Sequence, residues 1–75
     1  MRTPSRETIK RYKDEYPEGT RIKLLSMDDY QAPPVGTKGT VQGVDDMGDL
    51  LVHWDNGSSL SVILNVDRIE KINEN

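Results

Sequence analysis

Two periodicities divide the chain. Up to Tyr16 the apolar positions Ile9, Tyr12 and Tyr16 recur at three and four, the spacing of one narrow stripe on a helix. From Arg21 onward Ile, Leu and Val occur in short runs with a period near two, separated by Gly, Pro and Asp clusters. Such runs are the mark of a small all-β domain.

The first pattern predicts a helix over 4–15. Thr3 can cap a free amide with its hydroxyl, and Pro4 suits the first turn because its missing donor costs nothing there. Pro17 ends it, and Glu7 and Arg11 have the spacing of a surface ion pair. Asp14 and Glu15 oppose the helix dipole at the C-terminal end, and a lone helix of this length is marginal in water. This helix therefore needs the β region to hold it.

The second pattern predicts strands over 21–27, 38–44, 49–55, 58–63 and 69–72. Leu50, Val52 and Trp54 alternate with Leu51, His53 and Asp55, which turns Trp54 inward and His53 outward. Leu51 and Ile63 fall out of phase and form an outward apolar spot, either covered by the N-terminal helix, the preferred reading, or left for a partner. Gly39 and Gly43 mark points where the sheet bends or two backbones approach closely. Asn56-Gly57 predicts a two-residue hairpin with a primed turn, and 65–68 a single helical turn.

Five short strands, a long first loop and a one-turn helix before the last strand describe an SH3-like barrel. The expected organisation is a basic amphipathic helix over 1–16, the barrel over 17–72 and a frayed tail over 73–75. At 75 residues the chain encloses one core. With one Trp, three Tyr and no Phe, that core rests on aliphatic side chains and stability is modest. There is no cysteine, so disulfides and thiolate metal sites are excluded and a cytoplasmic location is the default expectation. No apolar run approaches the length that spans a bilayer, so no membrane association is expected.

The net charge of −3 conceals an asymmetry. Residues 1–23 hold seven basic side chains against four acidic, whereas 24–75 hold three against nine. A polyanion would therefore have to meet the N-terminal segment, because the barrel repels phosphate.

The segment Val35-Gly36-Thr37-Lys38-Gly39-Thr40-Val41, the hairpin Trp54-Asp55-Asn56-Gly57-Ser58-Ser59 and the ending Val66-Asp67-Arg68-Ile69-Glu70-Lys71-Ile72 resemble the bacterial family called domain of unknown function 4314. The resemblance covers about 16–72. It implies the fold and an origin in phages or conjugative elements, with no assigned activity. More loosely, the strand order with Gly-Thr-Lys-Gly-Thr-Val and the terminal Ile-Glu-Lys-Ile is similar to the KOW modules of transcription elongation factors and ribosomal proteins. Those that bind RNA carry basic loops where this chain has Asp28-Asp29 and Asp45-Asp46.

Few residues offer chemistry. His53 is the single histidine, and although Asp55 and Ser58 or Ser59 could be imagined beside it, no nucleophile elbow or oxyanion donor pair is marked. Asp45, Asp46 and Asp49 flank Gly48 but lack the spacing and terminal glutamate of a calcium loop, so they read as a polar turn. No catalytic residue, metal site or cofactor is expected. The candidate protein-binding residues are Tyr30, Pro33 and Pro34 in the first loop, with Leu51, His53 and Ile63 on the outer face. Arg2, Arg6, Lys10 and Lys13 line one side of the helix as candidate phosphate contacts. The expected function is a non-catalytic adaptor that binds another protein for a mobile element. The alternative is a nucleic-acid-associated module led by the basic helix.

Overall fold

A computed structural model describes residues 4–73. Helix α1 (Arg6–Glu15) precedes strands β1 (Arg21–Ser26), β2 (Lys38–Val44), β3 (Asp49–Trp54), β4 (Val62–Ile63) and β5 (Arg68–Lys71). The strands form one antiparallel sheet in the order β4-β3-β2-β1-β5. Successive connections lay the first four side by side, and β5 returns to pair with β1 from Ile22–Lys71 to Ser26–Arg68. This is the strand order of an SH3-like module. β4 and β5 are the two edges, so the sheet is not hydrogen-bonded into the closed barrel expected from the sequence.

The physical reason lies in 58–61, expected as part of a longer fourth strand. The indole Nε1–H of Trp54 donates to the Leu60 carbonyl at 2.9 Å, and the Leu60 N–H donates to Ser58 Oγ at 3.3 Å. These groups serve local side chains instead of a ladder, which leaves only Val62 and Ile63 paired with β3.

The connection from β3 also differs from expectation. The Gly57 N–H donates to the Trp54 carbonyl and the Trp54 N–H to the Ser58 carbonyl, both at 2.9 Å, which encloses a loop over 55–57. Of its residues only Gly57 has positive φ, at 93°. A primed two-residue turn needs positive φ at both central positions. Asn56 keeps an ordinary φ and uses its side-chain oxygen to accept the Ser58 N–H at 3.0 Å.

The core comprises Ile22, Leu24, Val41, Val44, Leu50, Val52, Trp54 and Val62. A bulge makes this set possible: Val41 opposes Val52 and Val44 opposes Leu50, with Gln42 and Gly43 sharing the position opposite Leu51. Strict alternation from Val41 would aim Gly43 inward and Val44 at solvent. The extra residue restores a branched side chain to the interior.

Helix α1 begins at Ser5, whose hydroxyl accepts the Thr8 N–H at 3.2 Å. Thr3, the expected cap, lies outside the described residues, as does the tail beyond Asn73. On the helix surface Lys10 pairs with Asp14 at 3.0 Å, while the Arg11 guanidinium, expected to meet Glu7, lies 5.9 Å from the Tyr12 ring centroid. Ile9, Tyr12 and Tyr16 pack against the core, and the Lys71 ammonium sits 4.9 Å from the Tyr16 ring centroid. The helix stripe thus covers the interior. It does not shield the outward apolar spot, and this corrects the preferred reading of Leu51 and Ile63, which remain 37% and 46% exposed.

Gly48 locks this docking. Its φ is +82°, and a Cβ there would stand 2.7 Å from Pro4 Cγ and 3.7 Å from Tyr12 Cε2. Gly48→Ala is expected to cost about 1–2 kcal/mol from left-handed backbone strain and to loosen α1. Hydrogen exchange should accelerate at Thr8 to Tyr12 while β2 and β3 amides stay protected. Uniform protection would show that the helix is not held at this point.

Candidate protein-binding groove

The outer face carries a polar cluster in register. Arg21 pairs with Thr40 across β1 and β2, and Thr40 with His53 across β2 and β3. Arg21 Nη1 donates to Thr40 Oγ1 at 3.0 Å, and its two terminal nitrogens reach the Asp55 carboxylate at 2.8 and 2.7 Å. Such a bidentate pair is the strong form of an ion pair. Its hydrogen bonds hold the Asp55 carboxyl below the usual carboxylate range, against a smaller opposing effect of desolvation. Both Asp55 oxygens face the guanidinium, so the partner the structure gives this carboxylate is Arg21. His53 is exposed, as expected.

The first loop is ordered by its own hydrogen bonds. Asp29 Oδ1 accepts the Gln31 N–H at 2.8 Å, and the Pro34 carbonyl accepts the Thr37 hydroxyl at 2.6 Å. Leu24 exchanges bonds with both ends of the next turn, donating to Thr37 O and accepting from the Gly36 N–H. Of the three loop candidates, Tyr30 is 96% exposed and Pro34 is exposed. Pro33 is buried and cannot meet a partner, which corrects its assignment.

The turn after β4 is a single helical turn, placed slightly earlier than expected. The Ile63 carbonyl accepts the Val66 and Asp67 N–H groups at 2.9 and 2.8 Å, and Asp67 Oδ2 accepts the Ile63 N–H at 2.8 Å. Both backbone groups of Ile63 are thereby occupied within the chain, which blunts this edge of the sheet against strand addition. The Ile63 side chain stays outside.

Between the first loop and this turn runs a groove of about 420 Å³. Met27, Leu60, Ile63 and Val66 supply its apolar surface. Asp28, Asp29, Asp49 and Asp67 supply its charge. Ile63 also borders a second groove, with Pro4 and Tyr12 at the helix margin. Of the expected protein-binding set, Ile63 alone lines the first groove; Tyr30, Pro34, Leu51 and His53 do not. Val66 escaped the sequence reading because it falls in the turn expected over 65–68, where no period assigns a face, and Met27 because it is the last position of a strand expected over 21–27 that in fact ends at Ser26. Their apolar character beside turn signals was the only cue.

Asp45, Asp46 and Asp49 form a turn. Asp45 Oδ1 accepts the Met47 and Asp49 N–H groups at 3.0 and 2.9 Å. The Asp49 carboxyl is pushed up, first by burial and then by the charges of Asp45 and Asp67. A folded-state pKa above the unfolded value gives stability that is complete below the unfolded pKa and lost as pH rises through the folded one. Asp55 has the opposite sign: its contribution is present above the unfolded pKa and lost as pH falls through the depressed folded value. Asp49→Asn is therefore expected to stabilise the fold near neutral pH, by no more than about 0.5 kcal/mol because solvent screens the site. The gain should vanish below about pH 4, and thermal melts across this range check it.

On α1, Arg6, Lys10 and Lys13 converge around Ile9 beside Asp46, at a shallow groove of about 280 Å³. The structure thus brings together three of the expected phosphate contacts; Arg2 lies outside the described residues. Asp14 neutralises Lys10, and Asp46 adds a negative charge at the rim.

These features define a small antiparallel β module with SH3-like strand order, a docked N-terminal helix and open surface grooves. The chain belongs to the family of the domain of unknown function (DUF4314), which it matches over residues 5–72. The match therefore takes in α1 as well as the sheet. None of the curated proteins matches the sequence. Among the described residues no helix is long and apolar enough to cross a membrane.

Proposed function

We propose that this chain is a non-catalytic protein-binding module that works in the cytoplasm as an adaptor of a phage or mobile element. The observation that carries the reading is the exposure of Ile63 and Val66, 46% and 67%, on a hydrogen-bonded turn beside a groove while the core is already filled. Aliphatic side chains clustered at a rigid concavity favour a partner, because covering them removes apolar surface from water without reordering the chain. Two of the carboxylates are already engaged within the chain, Asp55 by Arg21 and Asp45 Oδ1 by backbone amides.

Quantitative affinity capture with the full chain and with Ile63→Ser/Val66→Ser tests this. Both positions are exposed, so the variant should melt within about 0.5 kcal/mol of the parent yet lose the proteins the parent retains. Identical recovery would overturn the reading.

A second reading follows from the convergence of Arg6, Lys10 and Lys13 on one helix face. Contact with phosphate there would make binding of a labelled oligonucleotide fall with added salt, by a logarithmic slope of about one per neutralised phosphate. Asp14 and Asp46 beside these cations make this the weaker of the two.

A further inference from the structure

We propose that the groove between the first loop and the turn after β4 binds a short peptide segment of a partner protein in which Lys or Arg adjoins an aliphatic residue. This rests on the protein-binding reading and specifies its ligand. The groove is amphipathic in a particular way: Asp28, Asp29, Asp49 and Asp67 surround it, no Lys or Arg lines it, and Ile63 and Val66 lie among the carboxylates.

Charge complementarity selects a cation. Asp67 and Asp29 each commit one oxygen to a backbone amide, to Ile63 and Gln31, and each retains a second oxygen for an incoming donor. Asp49 is crowded by the charges of Asp45 and Asp67, which a bound cation would offset. The apolar side chains select a long cation on a peptide over a bare ion, since a Lys or Arg stem and an aliphatic neighbour cover Ile63 and Val66 while the charged head reaches the rim. Occupation of both Ile63 backbone groups excludes strand addition at that residue, so recognition goes through side chains. A volume of about 420 Å³ accommodates a few side chains and not a folded domain.

The test is selection from a displayed random-peptide library on the full chain. The best sequence is then synthesised, labelled and titrated by fluorescence anisotropy against the parent, Asp28→Asn/Asp49→Asn and Ile63→Ser. The substitutions to asparagine keep size and hydrogen bonding but remove charge. Expected are sequences carrying Lys or Arg beside Leu, Ile or Val, affinity that weakens with salt, and a loss of at least about five-fold in the doubly neutralised variant. Neutral peptides that bind equally to the double variant but are lost in Ile63→Ser would overturn the cationic ligand and leave the protein-binding reading standing. A library yielding no sequence sensitive to either variant would remove both. The groups Arg6, Lys10, Lys13 and Ile9 of a second copy share the ligand's chemistry. Self-association of the parent, seen by sedimentation and abolished in Asp28→Asn/Asp49→Asn, would assign the groove to that copy and overturn the separate partner.

Discussion

Trp54→Ala is expected to leave most of the chain unfolded at room temperature. Trp54 is fully buried and is the largest side chain of the core. Truncating such a residue costs about 3–5 kcal/mol through lost transfer energy and the cavity left behind. A single core of this size rarely supplies more than about 3–5 kcal/mol in total. The indole also ties the strandless 58–61 segment to β3 through its bond to the Leu60 carbonyl. Trp54→Phe separates the two contributions: it retains most of the ring but orphans that carbonyl, for a loss of about 1–3 kcal/mol. Far-UV circular dichroism and denaturant titration order the three proteins as parent, Phe, Ala. A cooperative, parent-like melt for the alanine variant would contradict a core built around Trp54.

Gly39→Ala should be nearly as damaging, for the opposite reason. A Cβ at Gly39 would lie 2.7 Å from Val52 Cγ1, 2.8 Å from Trp54 Cε3 and 3.2 Å from the His53 carbonyl oxygen. None of these can yield cheaply, since two belong to buried core side chains and the third to the backbone of the partner strand. Overpacking of this kind costs about 1–3 kcal/mol, and the number of blocked directions puts this position at the upper end. A lower urea midpoint with an unchanged slope would report the strain alone. Because Gly39 faces Trp54 across β2 and β3, Gly39→Ala and Trp54→Phe should not be additive: the smaller ring at 54 relieves one of the three close approaches to a methyl at 39, while those of Val52 and the His53 carbonyl remain. Gly39→Ala in the Trp54→Phe background tests that coupling.

Local pattern was legible where one physical preference acted without competition. Residues 38–44 carry the second strand with the expected limits, and alternation along β3 places Leu50, Val52 and Trp54 inside and His53 outside. The helix stripe Ile9, Tyr12 and Tyr16 meets the core as its spacing implies. Sequence reasoning failed where a side chain competed with the backbone. Ser58 and the Trp54 indole bond within 58–61 and shorten the fourth strand. Asn56 spends its amide on Ser58 and enlarges the hairpin loop. The bulge at Gln42 and Gly43 was announced by a glycine, but its effect, keeping Val44 inside, depends on the partner strand.

The same division runs through the candidate site. Ile63 stood out because it breaks the phase of its strand, and the acidity of the second half of the chain was plain from composition. That Asp28, Asp29, Asp49 and Asp67 border one groove could not be read, because they lie on three separate segments. Nor could the Arg21–Asp55 pair, which joins the start of β1 to the residue after β3 across the face of β2.

By itself the order of residues determined the element types, the inward faces of β1 and β3 and the need for a docked helix, since these follow from side-chain period and capping within a few neighbours. Tertiary structure alone decided that the sheet stays open between β4 and β5, that α1 covers the core and not Leu51, and which carboxylates share a groove. Those outcomes depend on contacts between residues far apart in the chain, whose energies exist only once the sheet has brought them together.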